Sequence, residues 1–161
     1  RYQPDAGKFG QFAEAVARRY GRVADQYLIW NEPNQPLWLQ PQQECPVPGR
    51  KCTPVAPHTY RRLVRAAYPA IHRADPGAQV IAGTLAPRGA DPLQRNRPLR
   101  PLAFLRAFGC VDERFTPVRT GRCRGFVPAR IDGDPALSCI VAPRLRAAGF
   151  ADGYRGLVLR S

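Results

Sequence analysis

The sequence predicts an α/β fold with parallel strands, and three observations carry that prediction. Segments of helical periodicity alternate with short, unbroken apolar runs. Two of those runs, centred on Leu28-Ile29-Trp30 and Val80-Ile81-Ala82, lack polar alternation, the pattern of strands buried on both faces as in a parallel sheet. Between them lies enough chain for a full helix, which a crossover between parallel strands requires. The expected order is helix, strand, helix, strand, helix, with the two strands adjacent and the crossover right-handed.

Residues 8–22 predict the first helix. Phe9, Phe12, Ala13, Val16, Ala17 and Tyr20 recur at helical spacing and are expected to pack on the outside of the sheet. Arg18, Arg19 and Arg22 fall at its end, where cations complement the helix dipole. The first strand follows over Tyr27–Asn31, and Pro33, which cannot donate to a ladder, is expected to end it. Pro33 to Pro57 is then a long irregular loop rich in Pro and Gln, of the kind that is usually functional or disordered.

Residues 58–75 predict the second helix, with Tyr60, Leu63, Val64, Ala67, Tyr68 and Ile71 on its buried face and Arg61, Arg62 and Arg65 on the other. Pro69 is expected to kink this helix or end its first part. Ala78–Thr84 is the second strand, and Gly83 permits close approach of a neighbour or ligand. A polar loop rich in Arg and Pro occupies 85–100. Pro101–Phe108 is a short helix with Leu102, Leu105 and Phe108 inward. From about Arg130 no clear period continues. The chain thus reads as an α/β domain over 1–129 and a tail over 130–161. The tail is either out of frame after a reading-frame shift near residue 129, or a divergent strand around Phe150 to Leu159.

The net charge is +13, nearly all from Arg. These charges are spread over helices, loops and tail without a dense run of basic and aromatic residues, so no nucleic-acid partner is expected. The abundance of Arg, Ala, Gly and Pro is instead what a GC-rich coding sequence gives. No apolar run approaches membrane-spanning length, and no membrane partner is expected. Of five cysteines, Cys45 and Cys52 bracket a short Pro/Gly loop, and Cys110 and Cys123 bracket another rich in Arg. Local spacing makes these the two expected disulfides, with Cys139 free, and points to an oxidising, secreted or extracellular setting. A zinc site is not expected: the cysteine spacings are too long, and His58 and His72 fall at no ligand spacing. With no phosphate-binding glycine loop, dinucleotide fingerprint or Ser-His-Asp order, no cofactor is expected either.

The stretch that carries chemistry is Trp30-Asn31-Glu32-Pro33-Asn34, at the carboxyl end of the first strand. In α/β sheets that end is where ligands bind. A carboxylate there, between Trp30 and two amides, suits a reactive site; the plainer alternative is a Glu that caps the next loop. Trp38, the other tryptophan, lies in the following loop, either as a platform for a sugar ring or as a plug beneath the loop.

This motif and its setting resemble the fourth strand of the clan A retaining glycoside hydrolases, the β/α-barrel superfamily that includes cellulases and β-xylosidases. The resemblance covers roughly residues 8–128. It implies a partial TIM (β/α)8 barrel with parallel strands, since a complete barrel needs at least about 200 residues and the chain has 161. The chain begins with Arg1 and contains no Met, so it reads as an internal piece of a longer protein or of a broken gene. The resemblance also implies roles: Glu32 as general acid/base and Asn31 as partner of the sugar 2-hydroxyl. Beside them, Trp30 is expected to line the floor of the site, and Asn34 and Trp38 are candidate substrate contacts. The substrate would be an oligo- or polysaccharide cleaved at an O-glycosyl bond.

Two departures qualify the pattern. The family's nucleophile Glu comes from a seventh strand this chain does not reach, and no His-Pro pair marks the strand expected after residue 130. Glu44, Glu113 and Asp91 have no strand-end setting. The chain alone is therefore expected to be inactive. A non-catalytic carbohydrate-binding or structural remnant is the second reading, and a nucleic-acid-binding basic protein is the third, although the spread of the Arg residues speaks against it.

Overall fold

A computed structural model describes residues 3–45, 52–90, 96–114, 118, 130–131, 134–135, 143, 146, 150–153 and 156–159. The chain divides into two units, Arg1–Leu105 and Arg106–Ser161. The division falls ahead of the change in sequence pattern near residue 130.

The first unit opens with helix α1 (Ala6–Tyr20), started by Asp5, whose carboxylate accepts the Lys8 N–H at 2.8 Å. Strand β1 (Gln26–Leu28) follows. A small hairpin comes next, β2 (Gln43–Glu44) and β3 (Thr53–Pro54), then helix α2 (Ala56–Ala74), strand β4 (Gln79–Ile81) and helix α3 (Pro101–Gly109). β1 and β4 pair in parallel, Gln26 with Gln79, Tyr27 with Val80 and Leu28 with Ile81. Mixed helix and strand around a two-stranded parallel sheet is what the alternating pattern predicts. A closed barrel is not seen among the described residues.

Several expectations need correction. The first strand is shorter than Tyr27–Asn31: its ladder ends with the Ile29 N–H on the Ile81 carbonyl (2.9 Å), because Trp30 leaves extended backbone at φ 64°. Nor is it buried on both faces. Tyr27 and Ile29 are buried, whereas Leu28 between them is 58 % exposed, so one face of the sheet is open. The Pro33–Pro57 loop is not wholly irregular, since it contains the β2–β3 hairpin, closed by a Cys45–Cys52 disulfide.

In α1 the buried residues are Gly10, Ala13 and Ala17, while Phe12 and Tyr20 are exposed. The reason is close helix packing: a side chain at Gly10 would begin 3.0 Å from the Ala66 carbonyl of α2, so only small residues fit the seam. Glu14 joins the two helices, accepting from Arg18 (2.6 Å) and Arg73 (2.7 Å). Those two guanidiniums hold its carboxyl below the usual range.

α2 runs through Pro69 rather than breaking there. Ala67, Ala70 and Ile71 on either side of the proline are buried, and that packing holds the turn despite the missing N–H. Tyr60, Leu63, Ala67 and Ile71 form its core face as expected, but Tyr68 is exposed and Arg61 is buried rather than on the polar face. Every residue from Ala56 to Arg61 is buried, because the preceding loop returns over the start of α2. In α3 the inward residue is Phe104, not Leu102 or Leu105, which are exposed.

In the second unit, β5 (Arg130–Ile131) pairs with β6 (Asp134–Pro135), and β7 (Phe150–Gly153) with β8 (Gly156–Leu159), both antiparallel. Phe150–Gly153 and Gly156–Leu159 are thus two antiparallel strands, not one. Cys110 is buried and disulfide-bonded. Cys123, its expected partner, and Cys139 lie outside the described residues. No helix among the described residues is long and apolar enough to cross a membrane.

Candidate functional site

The site is built on the backbone that follows β1. Most of its carbonyls are pinned, one by a local turn and the others by donors from further along the chain. The Ile29 carbonyl accepts the Tyr60 hydroxyl (2.8 Å) and the Trp30 carbonyl accepts Thr84 Oγ1 (3.2 Å). The Glu32 carbonyl accepts the Gln35 N–H (2.9 Å), the Pro33 carbonyl Gln42 Nε2 (2.9 Å), and the Asn34 carbonyl the Leu99 N–H (3.0 Å). Within this clamp two non-glycine residues take left-handed backbone, Trp30 at φ 64° and Glu32 at φ 40°. Such conformations cost about 1 to 3 kcal/mol each and persist only where the surroundings over-determine them. The clamp supplies that over-determination.

The side chains of the motif divide sharply. Asn31 is exposed and Glu32 is half-buried at the rim. Trp30 is also half-buried, edge-on to Phe9 of α1 with ring centroids 5.6 Å apart, and its indole N–H donates to the Trp38 carbonyl at 3.1 Å. That bond fixes the loop carrying Trp38, a residue 46 % exposed and so not a plug beneath the loop.

Asn34 is the residue the structure moves out of the predicted site. It is fully buried, its amide donating to the Ala86 (2.9 Å) and Leu99 (3.0 Å) carbonyls and accepting the Ala86 N–H (2.9 Å). With these bonds made it has no amide left to offer a substrate. It fastens the loops after β4 and before α3 to the motif.

Gln42, which sequence reasoning passed over, has a similar task. Its buried side-chain amide donates to both the Pro33 and Leu39 carbonyls (2.9 and 2.6 Å), and its backbone carbonyl accepts the Val55 and Ala56 N–H groups. The rim is thereby tied to the disulfide-closed hairpin and the start of α2. Tyr60 and Thr84 were likewise legible only as a core aromatic and a strand end. The one available signal was that a buried Tyr needs a partner for its hydroxyl.

The remaining candidates lie elsewhere. Glu44 is exposed on the hairpin, Glu113 belongs to the second unit, and Asp91 is outside the described residues. Behind the rim, Arg61 is buried with its guanidinium 3.1 Å from His58 Nδ1. Burial first, then the charges of Arg65 and Arg62, weaken its hold on its proton. Among the described residues no group of three His, Cys, Asp or Glu is arranged to hold a metal ion. Comparison with protein-family models, curated proteins and solved structures finds no match to this chain.

Proposed function

We propose that the rim around Glu32 is the acid/base half of a retaining glycosidase site acting on O-glycosyl bonds of oligo- or polysaccharides. The observation that carries this reading is the setting of Glu32: half-buried, beyond the carboxyl end of a parallel strand, on left-handed backbone clamped from both sides. A carboxylate serving only solubility needs no such backbone.

In this reading Glu32 protonates the leaving oxygen while a second carboxylate attacks the sugar carbon, and then activates the water that releases the sugar. Asn31, exposed beside it, hydrogen-bonds the 2-hydroxyl, and the open ring of Trp38 stacks on a neighbouring sugar. The second carboxylate is not assigned to this chain, which by itself binds sugar without turnover. The Cys45–Cys52 bond suits a secreted protein.

The test is Glu32→Gln in a longer protein that carries this segment and cleaves glycosides. Turnover of substrates with poor leaving groups is expected to fall by roughly 10² to 10⁴, with much less effect on activated substrates. Azide should then restore the second step. Unchanged turnover of both substrate kinds removes the assignment.

A non-catalytic sugar-binding role is the second reading, favoured by the exposure of Leu37 (81 %) and Trp38 (46 %) side by side near the rim. It predicts that cello- or xylo-oligosaccharides quench tryptophan fluorescence equally in the wild-type chain and in Glu32→Gln, but not in Trp38→Ala.

A further inference from the structure

The carboxyl ends of β1 and β4 do not run out side by side. Their last direct bond joins the Ile29 N–H to the Ile81 carbonyl. In this register a parallel ladder continues with the Gly83 N–H donating to the Ile29 carbonyl. Both groups turn instead to one atom. The Tyr60 hydroxyl donates to the Ile29 carbonyl at 2.8 Å and accepts the Gly83 N–H at 2.9 Å. A phenol oxygen has taken the place of a ladder bond.

Two bonds in series through an oxygen hold the flanking backbones roughly 2 Å further apart than one direct bond. The oxygen has no freedom to withdraw, because Tyr60 is fully buried and its ring packs on Phe104 with centroids 5.9 Å apart. Burial pushes its hydroxyl up to about 12, so it remains a donor throughout the physiological range. Gly83, at φ 94°, turns the second strand away just there. The next link across the gap is the Thr84 hydroxyl on the Trp30 carbonyl, and beyond it stand Asn31 and Glu32.

We propose that Tyr60 is a positioning residue: its hydroxyl, inserted into the sheet as a wedge, holds the ends of β1 and β4 apart and thereby sets where Trp30, Asn31 and Glu32 stand. Its effect on turnover rests on Glu32 being the acid/base, whereas its effect on the sheet does not.

The experiment is Tyr60→Phe in the full chain, which keeps the ring against Phe104 and removes only the oxygen. The Trp30 and Glu32 resonances are expected to shift, whether the freed Gly83 N–H closes directly onto Ile29 or exchanges roughly tenfold faster for want of a partner. Unchanged Trp30 and Glu32 resonances overturn the proposal. If the variant does not fold, the wild-type protein decides: a nuclear Overhauser contact between the Tyr60 hydroxyl proton and the Gly83 amide proton supports the wedge, and its absence overturns it. In a glycoside-cleaving protein that carries the segment, Tyr60→Phe should lower kcat by roughly ten- to a hundredfold with KM held. An unchanged kcat there overturns the positioning role, while unchanged turnover of both substrate kinds in Glu32→Gln overturns the acid/base reading and leaves the resonance result standing.

Discussion

Residues 30–32 and the buried residues of the following stretch, 33–43, are neighbours in sequence and opposites in environment. The first three are exposed or half-buried, and two of them lie on left-handed backbone. In the second stretch Pro33, Asn34, Leu39, Pro41, Gln42 and Gln43 are all buried. Asn31 and Asn34 make the contrast at its sharpest. Both are asparagines of one short motif, yet Asn34 spends its amide on Ala86 and Leu99 while Asn31 faces solvent. The difference teaches that a rim fit for chemistry is held in place by polar groups that do none. The buried amides supply the rigidity that lets the exposed ones stand in unrelaxed positions.

The largest effect is expected from breaking the buried half. Asn34→Ala strands the Ala86 N–H and two carbonyls without water, and should cost about 3 kcal/mol or more in urea unfolding. A loss below 1 kcal/mol would mean the amide is not the fastener described here. Alkaline pH attacks the same half through Tyr60, whose hydroxyl is raised from 10.0 to about 12. The unfolded chain loses that proton first. Stability is therefore intact below about pH 10 and falls as pH rises from about 10 to 12, by roughly 2 to 3 kcal/mol in all. Tyr60→Phe should flatten that part of the unfolding profile; an identical profile in the variant excludes Tyr60 as its source.

Removing the Cys45–Cys52 bridge, by Cys45→Ala with Cys52→Ala, opens a loop of sequence separation 7 and should cost about 2 kcal/mol. It should also loosen Gln42, next to the hairpin, which hydrogen exchange at Val55 and Ala56 would report. The smallest effect sharpens the contrast: Asn31→Ala should change stability by less than about 0.5 kcal/mol, since its side chain is exposed. A large loss there would place Asn31 with the fasteners instead of the rim.

The helices and the parallel pairing of β1 with β4 were legible because apolar periodicity reports which faces are buried. The same signal misplaced Phe12, Tyr20 and Arg61. Phe12 and Tyr20 are apolar residues on a helix whose seam admits only Gly10, Ala13 and Ala17, and Arg61 is a charge drawn inside by a returning loop. Around the site, the strand end and Glu32 could be read from the sequence. The clamp could not, because its donors come from Tyr60, Thr84, Gln42 and Leu99, and no local pattern tells which distant group a buried carbonyl will meet. Left-handed backbone at Trp30 and Glu32 was equally hidden, since neither residue type favours it.

One further consequence lies in the seam between α1 and α2. At Gly10 any added carbon meets the Ala66 backbone at 3.0 to 3.3 Å, and backbone yields only by moving the helix that carries it. Phe9 is the adjoining residue and lies edge-on to Trp30. A carbon added there asks the two helices to part by a few tenths of an ångström, at the residue next to the one whose ring meets Trp30. A methyl group added at position 10 would tune the rim from behind without touching any residue of it.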